Sequence, residues 1–176
     1  KIKYQLISYK KNKGKGYALI KGINQSSFKW ILTCDFDMSV IPTTVLDWFK
    51  KNYIHTKNCA YLGSRNLKKS NVKVLWFRKF YGLFFKFFID LLFSIKLNDT
   101  QCGFKLYNSI YIKKILPKLK SYRYVHDVEI INHLVKKKIE IKELPLKWTH
   151  RKGSKINLIK DPIRMIFDLI KIKINK

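Results

Sequence analysis

Trp30-Ile31-Leu32-Thr33-Cys34-Asp35-Phe36-Asp37 is the stretch on which the reading of this chain turns. Phe28 to Cys34 is a short apolar run of the kind that forms a buried strand, and two carboxylates follow directly on its end. Acidic groups at the end of a buried strand are costly unless something positive meets them. In α/β sheets ligands gather at the carboxyl ends of strands. Paired carboxylates there can hold a hard divalent cation that bridges phosphate oxygens. Asp35 and Asp37 are therefore candidate ligands of Mg²⁺ or Mn²⁺.

Working outward, Ile2 to Ser8 alternates apolar and polar residues and predicts a strand. The polar turn Asn12-Lys13-Gly14-Lys15-Gly16 leads into helical spacing over Tyr17 to Ile23. Glycines before a helix let backbone amides approach an anion, although the Walker spacing is absent. Pro42 to Tyr53 predicts a helix with proline in its first turn, where the missing N–H costs nothing. Cys59 to Gly63 predicts a strand. This alternation implies an α/β layer fold with a mostly parallel sheet and flanking helices.

Beyond Ser70 the pattern changes. Val72 to Leu97 is aromatic and apolar, and Phe80, Phe84, Phe87, Phe88 and Leu91 share one broad face at helical spacing. Its uncharged stretches are shorter than the roughly 20 residues that span a bilayer. The segment reads as a helix in a membrane interface, with a core helix as the competing reading. Gly103 to Tyr107 predicts a strand, Ser109 to Leu116 and Val128 to Lys137 helices, and Ile139 to Trp148 a strand. Residues 157–176 predict a terminal amphipathic helix, with Ile163, Ile166, Phe167 and Ile170 on one side.

The 176 residues suit one domain over positions 1–176, and 47% hydrophobic with 28% charged residues excludes a disordered chain. Thirty-eight Lys and Arg against eleven Asp and Glu give a formal charge of +27, a field that attracts anions. A general compositional bias toward Lys, Asn and Ile is the competing reading of the same excess. Cys34, Cys59 and Cys102 form no CxxC pair, so neither a zinc site nor a disulfide framework is indicated. His126, His133 and His150 have no metal-ligand spacing.

Six motifs occur in a fixed order: Asn12-Lys13-Gly14-Lys15-Gly16, Asp35-Phe36-Asp37, Gly63-Ser64-Arg65, Asp99-Thr100-Gln101-Cys102-Gly103-Phe104-Lys105, His126-Asp127-Val128-Glu129 and Gly153-Ser154-Lys155. Together they resemble the family 2 glycosyltransferases with a GT-A fold. Within these they resemble the polyprenyl-phosphate branch, and above all the enzymes that glucosylate dolichyl phosphate. The resemblance implies transfer of a hexose, with glucose leading and mannose or an N-acetylhexosamine as runner-up. The donor would be a nucleotide diphosphate sugar such as UDP-glucose, the acceptor dolichyl or polyprenyl phosphate, and the outcome inversion.

The same resemblance assigns roles. Asp35 and Asp37 would bind the ribose–pyrophosphate region and the metal, with Lys15 near the nucleotide. Arg65 would face a donor or acceptor phosphate. Asp99 and Gln101 would shape the sugar pocket, and Asp127 and Glu129 would sit opposite the anomeric carbon. Lys155, with Arg151 or Lys152, would form a cationic loop over the phosphates. The residues 72–97 would lie on the cytosolic face of a membrane, that of the endoplasmic reticulum in a eukaryote or the plasma membrane in a bacterium. Structural alternatives stand beside these: an N-cap for Asp127, turn formation for Asp99 and a strand-end cation for Arg65.

In that family a strand with a Pro-x-Tyr-Asn-Glu-type motif precedes what is residue 1 here. The expectation is a longer protein, a second chain that supplies the piece, or a decayed gene. Two other classes compete with the lipid-phosphate transferase. A basic nucleic-acid- or membrane-binding remnant would explain the charge, but no nucleic acid partner is expected, since no binding motif is present. A soluble transferase with another acceptor would leave the aromatic segment unexplained.

Overall fold

The computed structural model describes residues 4–55, 59–73, 76–151 and 160–174. The elements run α1 (Lys15–Gln25), β1 (Trp30–Thr33), α2 (Thr44–Lys50), β2 (Cys59–Ser64), β3 (Asn71–Lys73) and α3 (Trp76–Phe93). They continue with β4 (Lys105–Asn108), α4 (Ser109–Ile115), α5 (His126–Lys136), β5 (Glu140–Pro145), β6 (Lys147–Thr149) and α6 (Lys160–Ile174). A 3-10 turn, Leu116–Lys118, links α4 to the loop before α5.

The main sheet has the order β1-β4-β2-β5. β4 runs antiparallel to both β1 and β2, whereas β2 and β5 are parallel. The sheet is thus mixed, which corrects the expectation of a mostly parallel one. The register supplies the reason: Lys105, the first residue of β4, lies opposite both Thr33 at the end of β1 and Leu62 near the end of β2. The chain after α3 arrives at the carboxyl ends of those strands, so the next strand has to run back between them.

Three boundaries also differ from expectation. Residues 4–9 form no strand, and Tyr4 and Leu6 are exposed; an alternating pattern forms a strand only where a ladder partner accepts its hydrogen bonds. Ile139 to Trp148 divides at the buried Leu146, whose N–H donates to Ser70 Oγ while its carbonyl accepts from Asn71 N–H. This hands the chain from β5 to β6, which pairs with β3. Pro42 sits in the turn before the Thr43 N-cap of α2, and the left-handed Asn52 (φ 52°) closes that helix early.

Both faces of the sheet are covered. Ile31, Ala60, Leu62 and Tyr107 point into one core with side chains of α1, α3, α4, α5 and α6. Tyr61 and Leu106 point to the other, where Phe104, Trp48, Val40 and Leu144 pack. The two sets alternate along each strand, as a pleated backbone requires. Trp48 also donates from Nε1 to Pro145 O at 3.0 Å.

α3 divides its apolar residues between two sides. Phe85, Ile89 and Phe93 are buried in the core, while Leu83, Phe84, Phe87 and Leu91 are exposed. Phe88 is half-buried against the core, so the broad face predicted from the sequence belongs partly to the interior. The side chain of Phe80 lies outside the described residues. α6 packs on α3 through Leu169 and Ile172, leaving Ile163, Phe167, Ile170 and Ile174 exposed. No helix among the described residues is long and apolar enough to cross a membrane.

Candidate active site

Residues from five of the six motifs converge at one end of the sheet, with β4 inserted backward between β1 and β2. Asp35 follows β1, Arg65 follows β2 and Lys105 opens β4, so all three lie at one end of the sheet. The first residue of α1, Lys15, and the second residue of α5, Asp127, approach the same end. In a chain with eleven acids, three of them, Asp35, Asp99 and Asp127, each meet a cation there.

Lys15 Nζ lies 2.5 Å from Asp35 Oδ1, with both side chains 37% exposed. Burial lowers the Lys15 pKa, but Asp127 and Asp35 outweigh it and the net shift is upward. The Asp35 carboxyl rests against Gly103, where a Cβ would fall well inside van der Waals contact of Cγ and both oxygens. Gly16 has a related role, since a Cβ there would come within 2.8 Å of His126 Cβ and Cγ. Gly14 adopts φ 98°, a region open mainly to glycine, and its N–H donates to Asn12 Oδ1. Those glycines let α1 start close against the loop before α5, where Tyr17 N–H donates to Tyr122 O.

Asp99 is the most heavily used acid. Arg65 donates to it twice from its guanidinium, Nε to Oδ2 at 2.7 Å and Nη2 to Oδ1 at 2.9 Å, and once from its backbone N–H. The N–H groups of Gln101 and Cys102 donate to Oδ1. Burial alone would raise the Asp99 pKa, but the bonds and charge of Arg65 bring it below the usual carboxylate value. Asp99 thus forms the turn and also fixes Arg65, whose guanidinium lies 5.9 Å from the Trp148 ring centroid. Cys102 is buried, and its thiol is pushed up to about 11 by burial and by Asp99.

Asp127 is 5% exposed and pairs with the fully buried Lys105 at 2.7 Å. It is not the N-cap of α5, a position held by Val125. Burial would raise its pKa, yet Lys105, His126 and Lys15 hold it low, so it is an ionised carboxylate at neutral pH. His126 donates from Nδ1 to Arg123 O, which places its Nε2 3.5 Å from Asp127 Oδ2.

The other predicted residues are distributed as follows. Glu129 does not join Asp127: two residues along a helix is a turn of about 200°, and its carboxylate accepts the N–H groups of Lys120 and Ser121. Gln101 is half-buried, and its Nε2 has no hydrogen-bond partner among the described residues. Asp37 is exposed and accepts Ser39 N–H through Oδ1. Arg151 is exposed, and Lys152 and Lys155 lie outside the described residues.

Two residues escaped the sequence reading. Glu143 of β5 accepts the N–H of Asp99 and both the N–H and side-chain amide of Asn98, anchoring the turn from beneath. Lys105 is the other. Glu143 shares its strand with two further charged residues, Glu140 and Lys142, and Lys105 stands at the end of a quoted motif with no role assigned to it, so neither carried a signal of its own.

No group of three or more His, Cys, Asp and Glu gathers among the described residues. By chemistry alone the Asp35 and Asp37 carboxylates are donors of the type that Mg²⁺ takes, with one oxygen of Asp35 engaged by Lys15 and one of Asp37 by Ser39 N–H. That ion is commonly held by one or two carboxylates, with substrate phosphates and water completing its shell.

Sequence comparison finds curated proteins similar to this chain. The chain is 32% identical over 187 residues to the dolichyl-phosphate beta-glucosyltransferase of Saccharomyces cerevisiae, covering 97% of this chain and 54% of that protein. The protein of the same name from Dictyostelium discoideum is 33% identical over 96% of this chain and 53% of its own length. Over nearly all of its length this chain is similar in sequence to proteins named dolichyl-phosphate beta-glucosyltransferase. The human glucosyltransferase is 28% identical, over 98% of this chain and 55% of its length. The chain therefore spans about half the length of the curated glucosyltransferases it matches. No family model matches it.

Proposed function

We propose that the protein transfers glucose from UDP-glucose to dolichyl or another polyprenyl phosphate, with inversion at the anomeric carbon. The observation that carries this reading is the gathering of the Lys15–Asp35, Arg65–Asp99 and Lys105–Asp127 pairs at one end of the sheet, in a chain similar to proteins named dolichyl-phosphate beta-glucosyltransferase.

The acceptor nucleophile is an oxygen of the lipid phosphate. A phosphate monoester has a second pKa of about 6 and is largely dianionic at neutral pH, so it needs little help from a base. The harder task is to bring two anions together and stabilise the departing diphosphate. Lys15 and Arg65 are the placed cations for that work, and Gln101 Nε2 can donate to a sugar hydroxyl. Asp127, held ionised by its cations, is a poor proton acceptor and serves to orient. Asp35 and Asp37 would hold Mg²⁺ or Mn²⁺, whose positive charge would stabilise the diphosphate leaving group.

The acceptor's lipid tail calls for membrane association. The exposed side chains of α3 and α6 supply an apolar surface for the cytosolic face of a membrane, with the exposed Arg164, Lys171 and Lys173 of α6 available to acidic headgroups. Phe87→Ser combined with Leu91→Ser is expected to lower partition onto anionic vesicles at least tenfold without lowering the thermal midpoint. Burial of each such side chain contributes about 1.5–3 kcal/mol, and neither is used in the core. Retained binding, read by flotation, would remove α3 from the membrane surface.

The reaction is tested by incubating the protein with radiolabelled UDP-glucose, polyprenyl phosphate and Mg²⁺, with and without chelator. Label in the lipid phase that disappears with chelator is the expected result. Transfer only from GDP-mannose or UDP-N-acetylglucosamine would overturn the sugar, and transfer unaffected by chelator would overturn the metal.

A further inference from the structure

Lys105 has the most deeply buried charged side chain among the described residues. It is fully buried, and its ammonium donates both to Asp127 Oδ1 at 2.7 Å and to the carbonyl of Cys102. An ion pair taken this far from water brings little net stability, because desolvation of both partners offsets their attraction. Stability alone is therefore a weak reason for it, and its position offers a better one.

Cys102 belongs to the turn that Asp99 organises and through which Arg65 is fixed. Asp127 belongs to α5, whose first turn abuts Gly16 and Lys15 of α1. Lys105 thus joins the half of the site carrying Arg65 to the half carrying Lys15 through hydrogen bonds to both, while Asp35 touches the turn only by packing against Gly103. Four groups face the Asp127 carboxylate: Lys105 and Tyr107 from β4, His126 from its own helix and Lys15 from α1. Of these, the structure gives a strong hydrogen bond only to Lys105; Lys15 is engaged by Asp35, and His126 Nε2 is 3.5 Å away.

We propose that Lys105 is a positioning residue, which acts through Asp127 by fixing its carboxylate at a set distance from the Asp99–Arg65 turn. This rests on the proposed glucosyl transfer. Lys105 touches neither Asp35 nor Asp37 in any hydrogen bond or ion pair described, so its effect falls on the reacting geometry and not on capture of the donor.

The test is a double-mutant cycle of Lys105→Met and Asp127→Asn in the protein, measuring kcat, UDP-glucose affinity by calorimetry and thermal midpoint. Lys105→Met is expected to lower kcat about 100-fold, as a misplacement near 1 Å can, with the UDP-glucose Kd changed less than threefold. In the Asp127→Asn background the same change should cost less than threefold in kcat. An equal cost in both backgrounds would overturn the proposal, because Lys105 would then act independently of Asp127. A loss seen wholly in the donor Kd would also overturn it.

If Lys105→Met fails to fold, Lys105→Met with Asp127→Leu supplies an apolar pair of similar volume, a replacement that buried ion pairs often tolerate. A folded double variant with near-wild-type kcat would reduce the pair to a structural role and sink the proposal; a folded variant as slow as Asp127→Asn supports it. Should the wild type transfer no sugar, the functional reading fails on its own. The positioning claim is then read from the Asp127 carboxyl ¹³C signal, whose titration must move up in Lys105→Met and would contradict the claim by staying in place.

Discussion

Asp99→Ala is expected to lower stability by about 3–5 kcal/mol, the range for breaking one partner out of a buried ion pair. The carboxylate accepts two guanidinium bonds and a backbone N–H from Arg65, and further N–H groups from Gln101 and Cys102. Alanine leaves all of these donors without their acceptor. Arg65 retains some contact with water, which places the cost toward the lower end. For a domain of this size each kcal/mol corresponds to roughly 2–4 °C, so a fall of about 6–12 °C or more should appear in a thermal melt. A fall below about 2 °C would mean that the turn finds other acceptors. Asp99→Asn keeps the shape and one carbonyl acceptor and should lose less.

The same carboxylate sets a pH dependence. Asp99 and Asp127 have folded pKa values below their unfolded ones, so each contributes stability that is present above about pH 4 and is lost as pH falls through the folded value. His126 and His133 also have lowered values, chiefly from burial, so their contribution is present above the unfolded histidine pKa of about 6.5 and starts to fade below it. Glu129 is shifted upward by burial and opposes the trend. Denaturant midpoints should therefore decline first below about pH 6.5 and again below about pH 4. A flat profile from pH 7 to 5 would show that the histidines can take up protons in the folded protein.

What the sequence made legible was local. The apolar run ending at Asp35, the glycine-bearing entry to α1 and the periodicity of α4, α5 and α6 all lie in contiguous residues, and the structure forms each of them. Strand direction is not local: the pattern Lys105–Asn108 is the same read either way, and only the arrival of the chain after α3 makes β4 antiparallel. The segment Ile139 to Trp148 failed as one strand for a similar reason, because Ser70 and Asn71 draw off the backbone of Leu146 from far along the chain. Lys105 was illegible since a lysine in a lysine-rich chain reads as a solvated face, and nothing in its neighbours announces Asp127 across the fold. The family resemblance set Asp127 and Glu129 together opposite the anomeric carbon, whereas helix geometry turns them to different partners.

Gly103→Ala is expected to remove activity while leaving the fold in place. Gly103 has no positive φ, so alanine meets no backbone strain there. The obstacle is space alone, because the new methyl group would occupy the volume of the Asp35 carboxyl group. The side chain of Asp35 is partly exposed and can rotate outward, which avoids a large loss of stability but breaks its 2.5 Å pairing with Lys15. Both a proposed metal ligand and a proposed phosphate cation then lose their positions together. A misplacement of about 1 Å at a reacting centre can cost 100-fold, so glucosyl transfer should fall by about that factor or more, with weaker UDP-glucose binding and a melt within a few degrees of wild type. Gly82→Ala is the control on the same chemistry. Gly82 lies in α3 with nothing within 4 Å of an added Cβ, and alanine there should stabilise the helix by about 0.5–1 kcal/mol and leave transfer unchanged. Full activity in Gly103→Ala would show that Asp35 does its work from another position than the one it holds against Gly103, and the assignment of the Lys15–Asp35 pair to the donor would have to be given up.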